Sequence, residues 1–322
     1  MKVLFNSYPV AFACPGGGEV QLLQTKNYLN SLNVETSFFD QWNPQFQSVD
    51  LIHYFSTQGG SLNFCGYVKK INKPLAISPI LWTRSGAYDM REIKKVLDTA
   101  SILLPNSDIE SNVLSEDFDI PLEKFHTVHN GIDESFFNSL NISPEKFRKE
   151  FNIQGPFFLN VANIEHRKNQ TNLAKALINF KGDHQLILIG NCRDHKYLDE
   201  IIKIGNGRIR YIGYIDHHSE LLKSAYLACD GFVLPSLLET PGLAALEAAA
   251  LGCNILITSE GSTKEYFEDK AIYVNPNSTE SITEGLEKLA NTPENINLIE
   301  TMRKFTWLNS AKQTLEAYKK IC

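Results

Sequence analysis

Short apolar runs alternate with longer amphipathic segments along most of the chain. Several of the runs are continuous stretches of Val, Ile, Leu and Phe, which is typical of strands covered on both faces. The segments between them place apolar residues at helical spacing. This alternation predicts β-α units and parallel sheets.

The predicted units fall into two groups. In the first half we predict strands at residues 2–6, 35–39, 51–54, 74–78 and 101–104. In the second half we predict strands at residues 157–161, 185–189, 208–211, 231–234, 254–258 and 271–274. The predicted helices include residues 19–32, 90–99, 171–180, 219–228, 295–304 and 306–321.

The break between the groups is a polar stretch, residues 138–155, which contains Pro144. Turn-forming residues precede it, among them Asn130-Gly131 and Asp133. We therefore predict two doubly wound α/β domains, residues 1–137 and 138–304, with the boundary near residue 137. The apolar side chains of the final helix must pack against something, but periodicity leaves open which domain it covers.

The length and composition of the chain are consistent with two α/β domains. A chain of 322 residues has the length of about two domains, and a hydrophobic content of 43% is ample for their cores. The 31 Lys and Arg residues against 37 Asp and Glu give a net charge of −6. This balance argues against a nucleic-acid binder, although a local basic patch stays compatible with it.

The six cysteines include no C-x-x-C pair and mostly lie in apolar runs, which predicts reduced, buried thiols in a reducing compartment. Cys14 is the exception, because it lies in a glycine-rich loop, where a small spacer is favoured over a reactive thiol. We see no secretory leader and no apolar stretch of roughly 18 residues. We expect a cytoplasmic protein, for which contact with the inner face of a membrane stays open.

Three segments are candidates for chemistry. The first, Pro15-Gly16-Gly17-Gly18-Glu19, follows the first strand and opens a helix. Glycines allow close approach of backbone to a ligand, and a helix N-terminus favours an anion. The segment matches neither the dinucleotide nor the P-loop fingerprint, so a ligand loop and a simple tight turn are both open.

The second segment, residues 163–169, follows the strand at 157–161 and contains Arg167 and Lys168. Open α/β sheets bind ligands outside the carboxyl ends of their strands, where two cations suit a diphosphate. A solvated turn is the alternative.

The third segment, residues 236–252, carries the strongest signal. Glu239 lies in a loop after a strand, Pro241-Gly242 precedes a helix rich in Ala and Leu, and Glu247 interrupts that apolar run. We expect this carboxylate to be half-buried, where it needs hydrogen-bond donors, such as paired sugar hydroxyls. The histidines offer no set of metal ligands at sensible spacing, and we expect no metal site.

Together the three segments resemble those of the retaining glycosyltransferases of the GT-B fold, specifically family four. Glu239 and Glu247 match the E-x7-E motif of that family, and Lys168 aligns with its phosphate-binding lysine. The likeness spans the whole chain and is denser in the second half. Further matching stretches are Gly16–Gly18, Asn130-Gly131-Ile132-Asp133, Tyr211-Ile212-Gly213-Tyr214 and Phe305-Thr306-Trp307.

The resemblance implies two Rossmann-like domains that face each other across a cleft, with residues 305–322 crossing back to the first domain. It implies a metal-independent transferase that moves a sugar from a nucleotide-diphosphate sugar to a glycan or lipid-linked saccharide, without a cofactor. Lys168 and Glu239 would be catalytic. The implied donor site comprises Gly17, Gly18, Asn163, Arg167, Lys168, Tyr214, Glu239, Thr240, Pro241, Gly242, Leu243 and Glu247.

The sequence departs from the family at two points. Asn163 stands where an arginine is common, and Arg167 is the candidate for the missing charge. Residues 78–84 lack a histidine found in many members, so Trp82 and Arg84 are candidates for shaping an acceptor site. Two alternatives stay open: a sugar-nucleotide epimerase of the same fold, and a non-catalytic protein that binds sugar nucleotides.

Overall fold

The computed structural model describes residues 1–13, 15–83, 89–138, 141–293 and 296–322. The strands are β1 (Lys2–Ser7), β2 (Glu35–Phe38), β3 (Leu51–Phe55), β4 (Leu75–Ser78), β5 (Ile102–Leu103), β6 (Phe157–Val161), β7 (Gln185–Ile189), β8 (Ile209–Gly213), β9 (Gly231–Leu234), β10 (Ile255–Thr258) and β11 (Ile272–Val274). Each predicted strand overlaps one of them.

The helices lie between the strands and after them. They are α1 (Gly17–Ser31), α2 (Ser61–Lys70), α3 (Met90–Thr99), α4 (Asp108–Phe118), α5 (Glu145–Glu150), α6 (Gln170–Asn179), α7 (His195–Gly205), α8 (Glu220–Ala228), α9 (Leu243–Ala250), α10 (Thr263–Phe267), α11 (Thr279–Ala290), α12 (Ile296–Met302) and α13 (Trp307–Tyr318).

Contacts divide the chain into two compact units. Unit 1 contains Met1–Gly131 and Phe305–Cys322, and unit 2 contains Ile132–Lys304. The division therefore falls before residue 132, whereas the sequence placed the boundary near residue 137. The reason is a short 3-10 helix, Glu134–Phe137, whose Phe136 ring packs against the rings of His217 and Tyr226 in unit 2.

Unit 1 is a parallel sheet in the order β2-β1-β3-β4-β5, with helices on both faces. Successive residues of a strand point to opposite faces, and β1 shows the consequence. Val3 and Phe5 lie in one core with Leu22 of α1 and with α13, while Leu4 lies in another core with Val68 of α2. The sheet is doubly wound, as predicted.

The final helix α13 packs on unit 1. The Tyr318 hydroxyl lies 2.6 Å from Nδ1 of His53, which is buried in β3, and the Ser78 hydroxyl lies 2.9 Å from its Nε2. Burial lowers the pKa of His53 to about 3, so the ring stays neutral. A Cβ atom on Gly131 would lie only 2.2 Å from the backbone nitrogen of Trp307, so only glycine fits beside the start of α13.

Unit 2 is a six-stranded parallel sheet in the order β11-β10-β9-β6-β7-β8. On one face Phe158 and Leu186 pack in a core with α6, α7 and α11. On the other face the ring of Phe157 contacts that of Phe147 in α5, and the ring of Phe232 contacts Tyr226 in α8. This unit is also covered on both faces, which confirms the predicted fold class.

The cysteine prediction is only partly correct. Cys65 and Cys253 are buried, but Cys192 and Cys229 are half-buried and Cys322 is exposed. Cys322 is the last residue of the sequence, and Cys192 lies in the loop after β7, where it packs against the margin of a core of unit 2 and stays partly exposed. Cys14 lies outside the described residues. Among the residues that the structure describes, no helix has the length and apolarity needed to cross a membrane.

Candidate active site

The centre of the second sheet contains a topological switch point. The chain runs from β6 outward to β7 and β8, then returns to the other side of β6 as β9 and continues to β10 and β11. Such a reversal leaves a crevice beyond the carboxyl ends of the two central strands. The loops that follow β6 and β9 are the second and third candidate segments, so the sheet order makes them neighbours.

The two central strands separate towards this crevice. They pair only at Phe158 with Gly231 and at Leu159 with Phe232. The next residue of β6, the buried Asn160, reaches across with its side-chain amide and donates to the Val233 carbonyl at 2.7 Å. The backbones of β6 and β9 are thus held together by a side chain where the crevice opens.

Lys168 and Glu239 form an ion pair at this point, with 2.6 Å between Nζ and Oε1. Only 13% and 6% of the two side chains are exposed. The loops are also bonded through their backbones, because the Leu237 N–H donates to the Arg167 carbonyl at 2.9 Å. The structure thus brings together two charges that lie 71 positions apart in the sequence.

The electrostatics of the pair follow from its burial. Burial alone would raise the pKa of Glu239, but the neighbouring cations Lys168 and Arg167 outweigh it and hold that pKa below its usual range. Burial lowers the pKa of Lys168, and Glu239 opposes that shift. Glu239 is therefore ionised at neutral pH, and it compensates a poorly hydrated ammonium group.

The loop of Glu239 contacts the loop after β10 and continues to Gly242. A Cβ atom on Gly261, in the loop after β10, would lie 2.1 Å from the Glu239 carbonyl oxygen, and Ser262 N–H donates to that oxygen at 3.0 Å. Thr240 and Pro241 then lead to Gly242, whose left-handed φ of 88° favours glycine.

Helix α9 begins directly after Gly242, and the first N–H groups of a helix have no intrahelical partner. The Glu239 carboxylate lies close to this helix start, because its Oε2 would be 3.5 Å from a Cβ atom on Gly242. The N–H groups near Leu243, the buried ammonium of Lys168 and the crevice therefore belong to one site.

Glu247 lies one turn further into α9 and is only 6% exposed. Its Oε2 accepts from the Tyr226 hydroxyl at 3.3 Å, and its Oε1 lies 3.2 Å from Nε2 of His217. Burial raises the pKa of Glu247 to about 8. The sequence predicted a half-buried carboxylate; the structure buries it almost completely, next to two residues that the motif did not indicate.

Asn163 and Arg167 have different surroundings. With its amide oxygen turned towards Arg193, Asn163 accepts from Nη2 and Nε of that residue at 3.0 and 3.2 Å. Arg193 also pairs with Glu165 at 2.8 Å. Arg167 pairs with Glu165 at 3.3 Å, donates to the Leu238 carbonyl at 3.3 Å, and is half-exposed.

Tyr214, another candidate for the donor site, precedes His217 by three residues. It follows β8, which β7 separates from β6, and it is 59% exposed. Its assignment to the donor site came from a sequence match alone. The described residues also contain no group of three or more His, Cys, Asp or Glu side chains placed to hold a metal ion.

The candidate residues of unit 1 lie at the carboxyl edge of the first sheet, whose order also reverses, between β1 and β3. Gly16 caps α1, and Gly17 and Gly18 form its first turn, so the helix begins two residues earlier than predicted. The Glu19 carboxylate accepts from Gly16 N–H at 2.7 Å. A Cβ atom on Gly18 would lie 3.3 Å from the Ile80 side chain.

Trp82 is 8% exposed, and Arg84 lies outside the described residues. The loop of Trp82 is held by the fully buried Glu110, whose carboxylate accepts from Leu81 N–H at 3.0 Å and Asn106 N–H at 2.7 Å. Glu110 was not among the residues predicted for the site from the sequence, and neither were Arg193, His217 and Tyr226. The only signal for Glu110 was its place in the first turn of α4, three positions after the capping Ser107.

Two parallel sheets, with a buried lysine at the switch point of the second one, define a two-domain α/β protein. The model of the family described as glycosyl transferases group 1 matches residues 142–305, half of the chain. The chain belongs to this family.

Curated relatives and solved structures agree. The chain is 25% identical to an uncharacterised glycosyltransferase of Methanocaldococcus jannaschii over 73% of its length, and 27% identical to O-antigen chain mannosyltransferase B of Escherichia coli over 72%. These matches span 64% of each relative, less than two thirds. Anabaena HepE in complex with UDP superposes with a TM-score of 0.79 at 17% identity, covering 99% of this chain and 100% of that one. The likeness confirms the predicted GT-B fold.

Proposed function

We propose that this protein is a retaining, metal-independent glycosyltransferase that moves a sugar from a nucleotide-diphosphate sugar to a glycan or lipid-linked saccharide. The observation that carries the proposal is the buried Lys168–Glu239 pair at the switch point of the second sheet, beside the start of α9. Family membership and the UDP bound to HepE support a nucleotide-sugar donor.

The diphosphate of the donor fits the crevice. Breaking the bond between the anomeric carbon and the diphosphate oxygen leaves negative charge on the diphosphate and positive charge on the sugar. Lys168 and the start of α9 offer positive charge in a place of low hydration, where electrostatic stabilisation is strong, and the half-exposed Arg167 adds a charge that solvent screens. These groups supply the role that a metal ion has in other transferases, which supports a metal-independent reaction.

Retention follows if the acceptor hydroxyl attacks the face from which the diphosphate leaves. The new bond joins the acceptor oxygen to the anomeric carbon, and the acceptor proton passes to the departing phosphate oxygen. No side chain then has to act as a nucleophile. Glu239 keeps Lys168 ionised and in place, and it is an acceptor for hydroxyls of the transferred sugar.

We place the acceptor on unit 1. Val10, Phe12 and Trp42 expose 68%, 50% and 87% of their surface in the segments that follow the neighbouring strands β1 and β2. Residues 8–18 contain no charged side chain. Exposed apolar side chains that include two aromatic rings suit a saccharide ring or a membrane interface, which supports an acceptor with a lipid carrier at the inner membrane face.

The test is transfer activity with a panel of nucleotide sugars and glycan acceptors. Lys168→Ala should lower turnover by about a thousandfold or more, because it removes the charge that meets the leaving group. Lys175→Ala is the matched control, since Lys175 is exposed on α6 in the same unit. Equal turnover in the two variants would contradict the assignment.

The same assay separates the alternatives. A transferase releases nucleoside diphosphate at a substantial rate only when an acceptor is present. Conversion of one donor into another without acceptor would show an epimerase. Donor binding without turnover on any acceptor would show a protein that only binds sugar nucleotides.

A further inference from the structure

Cys229 and Cys253 lie side by side at the amino edge of the second sheet, opposite the edge that carries Lys168 and Glu239. Each cysteine precedes a strand by two residues, Cys229 before β9 and Cys253 before β10, and these neighbouring strands pair in parallel. The two Sγ atoms are 3.9 Å apart. The sheet therefore brings together two thiols that lie 24 positions apart in the sequence.

The end of α8 holds both thiols in place. The last four carbonyl groups of a helix have no intrahelical partner, and the carbonyl of Tyr226 is one of them. It accepts from Sγ of Cys229 at 3.2 Å and from Sγ of Cys253 at 3.0 Å. The Cys253 N–H also donates to the Ala248 carbonyl of α9 at 3.0 Å. One carbonyl oxygen thus keeps the two sulfur atoms next to each other.

The spacing of the two cysteines suits a disulfide. Neighbouring strands lie about 4.8 Å apart, and the Cα atoms of bridged cysteines are usually separated by roughly 4.4–6.8 Å. The sulfur atoms are already in contact, and an S–S bond requires them to approach to about 2.05 Å. The two thiols can therefore be joined where they stand in the fold.

The two cysteines differ in their access to solvent. Cys229 is half-buried, whereas Cys253 is only 8% exposed. An oxidant that arrives from solvent therefore meets the Cys229 sulfur first. The neighbouring Cys229 thiol and burial raise the pKa of Cys253, which favours its protonated form while the other sulfur reacts. The geometry thus assigns a first and a second thiol.

We propose that Cys229 and Cys253 form an oxidisable dithiol, a covalent modification site that reacts with hydrogen peroxide. The Cys229 sulfur attacks one peroxide oxygen, so an S–O bond forms, the O–O bond breaks, and the departing hydroxide leaves as water with the thiol proton. The Cys253 sulfur then attacks the Cys229 sulfur, so the S–S bond forms, the S–O bond breaks, and a second water leaves with the Cys253 proton. Two thiols lose two electrons, and one peroxide becomes two waters.

The disulfide would close residues 229–253 into a loop that contains β9, the loop of Glu239 and the whole of α9. A cross-link of this kind restricts the unfolded chain, so the oxidised protein should melt several degrees above the reduced protein. A dithiol reductant should reverse the change. The inference does not depend on the proposed function, because it needs neither donor nor acceptor.

The test is peroxide treatment of the reduced full-length chain, followed by alkylation of the remaining thiols and mass spectrometry of its peptides. The wild type should lose two free thiols and yield a peptide pair joined through Cys229 and Cys253. Cys253→Ser should stop at a sulfenic acid on Cys229, which dimedone traps. The serine hydroxyl can still donate to the Tyr226 carbonyl, so this variant should fold.

Cys192→Ser is the matched control. Cys192 is also half-buried, but its Sγ lies 3.6 Å from Nδ1 of His195 instead of another thiol. This variant should form the same cross-link as the wild type. Cys229→Ser is the second variant, in which Cys253 should stay free and alkylated. Melting curves of the reduced variants show that each one folds.

Three results would overturn the inference: both thiols remain free after peroxide, Cys229 passes to a sulfinic acid while Cys253 stays free, or the cross-link joins two chains. A cross-linked protein that melts no higher than the reduced one would contradict the effect of loop closure.

Discussion

Glu239 and Glu247 are both buried carboxyl groups of one loop-helix segment, yet their surroundings shift their pKa values in opposite directions. Glu239 faces Lys168 and Arg167, and its pKa lies below the usual range. Glu247 faces a phenol and an imidazole, which offer hydrogen bonds and little charge, and its pKa rises to about 8. Burial raises the pKa of both carboxyl groups, and only at Glu239 do neighbouring cations outweigh it.

The largest expected difference concerns the free energy of unfolding of the glutamine variants at pH 7. Glu239→Gln leaves Lys168 buried without a counter-charge and should destabilise the protein by about 3–5 kcal/mol. Glu247→Gln replaces a largely protonated carboxyl group with an amide of the same shape and should change stability by less than about 1 kcal/mol. Urea titrations measure both, and equal losses would contradict the contrast.

The second prediction concerns how the contribution of Glu247 to the free energy of unfolding changes with pH. The pKa of Glu247 is higher in the folded state than in the unfolded state, where it is near 4.5. Its stabilising contribution is therefore complete below about pH 4.5 and is lost as the pH rises through 8. The difference in unfolding free energy between the wild type and Glu247→Gln should fall from pH 5 to pH 9, by at most about 1.4 kcal/mol per pH unit.

The stabilising contribution of Glu239 depends on pH in the opposite direction. Its folded-state pKa is lowered, so its contribution is present above about pH 4.5 and is lost only as the pH falls through the lowered value. A difference between the wild type and Glu239→Gln that also declined from pH 5 to pH 9 would show that the two sites have been assigned wrongly.

The smallest expected effect is that of Arg167, beside Lys168 but half-exposed. Arg167→Ala removes a partly solvated pair with Glu165, so stability should change by less than about 1 kcal/mol. Transfer should fall by less than about tenfold, since solvent already screens this charge. A loss as large as that of Lys168→Ala would mean that Arg167 carries the main charge at the diphosphate.

The sequence predicted the elements of this molecule better than the contacts between them. Continuous apolar runs indicated most of the strands in the described residues, because a strand covered on both faces needs them, whereas β2 is short, polar and largely exposed. The order of strands in each sheet has no such local signal, and that order makes Lys168 a neighbour of Glu239.

The same limit explains the residues that were missed. His217 and Arg193 lie in loops after β8 and β7, and nothing in their local sequence shows that they reach Glu247 and Asn163. Tyr214 matched a motif and lies exposed after β8, and its place in the donor site stays a prediction. The sequence did indicate that Glu247 is buried, because Glu247 interrupts an otherwise apolar helix rich in Ala and Leu.

The central claim is that a nucleoside diphosphate binds at Lys168. Calorimetric titration tests this claim most directly, with UDP, GDP and ADP added to the wild type, to Lys168→Ala and to Lys175→Ala. At least one nucleotide should bind the wild type and Lys175→Ala with equal affinity. The same nucleotide should bind Lys168→Ala about ten- to a hundredfold more weakly. Equal affinity for all three proteins would contradict the account.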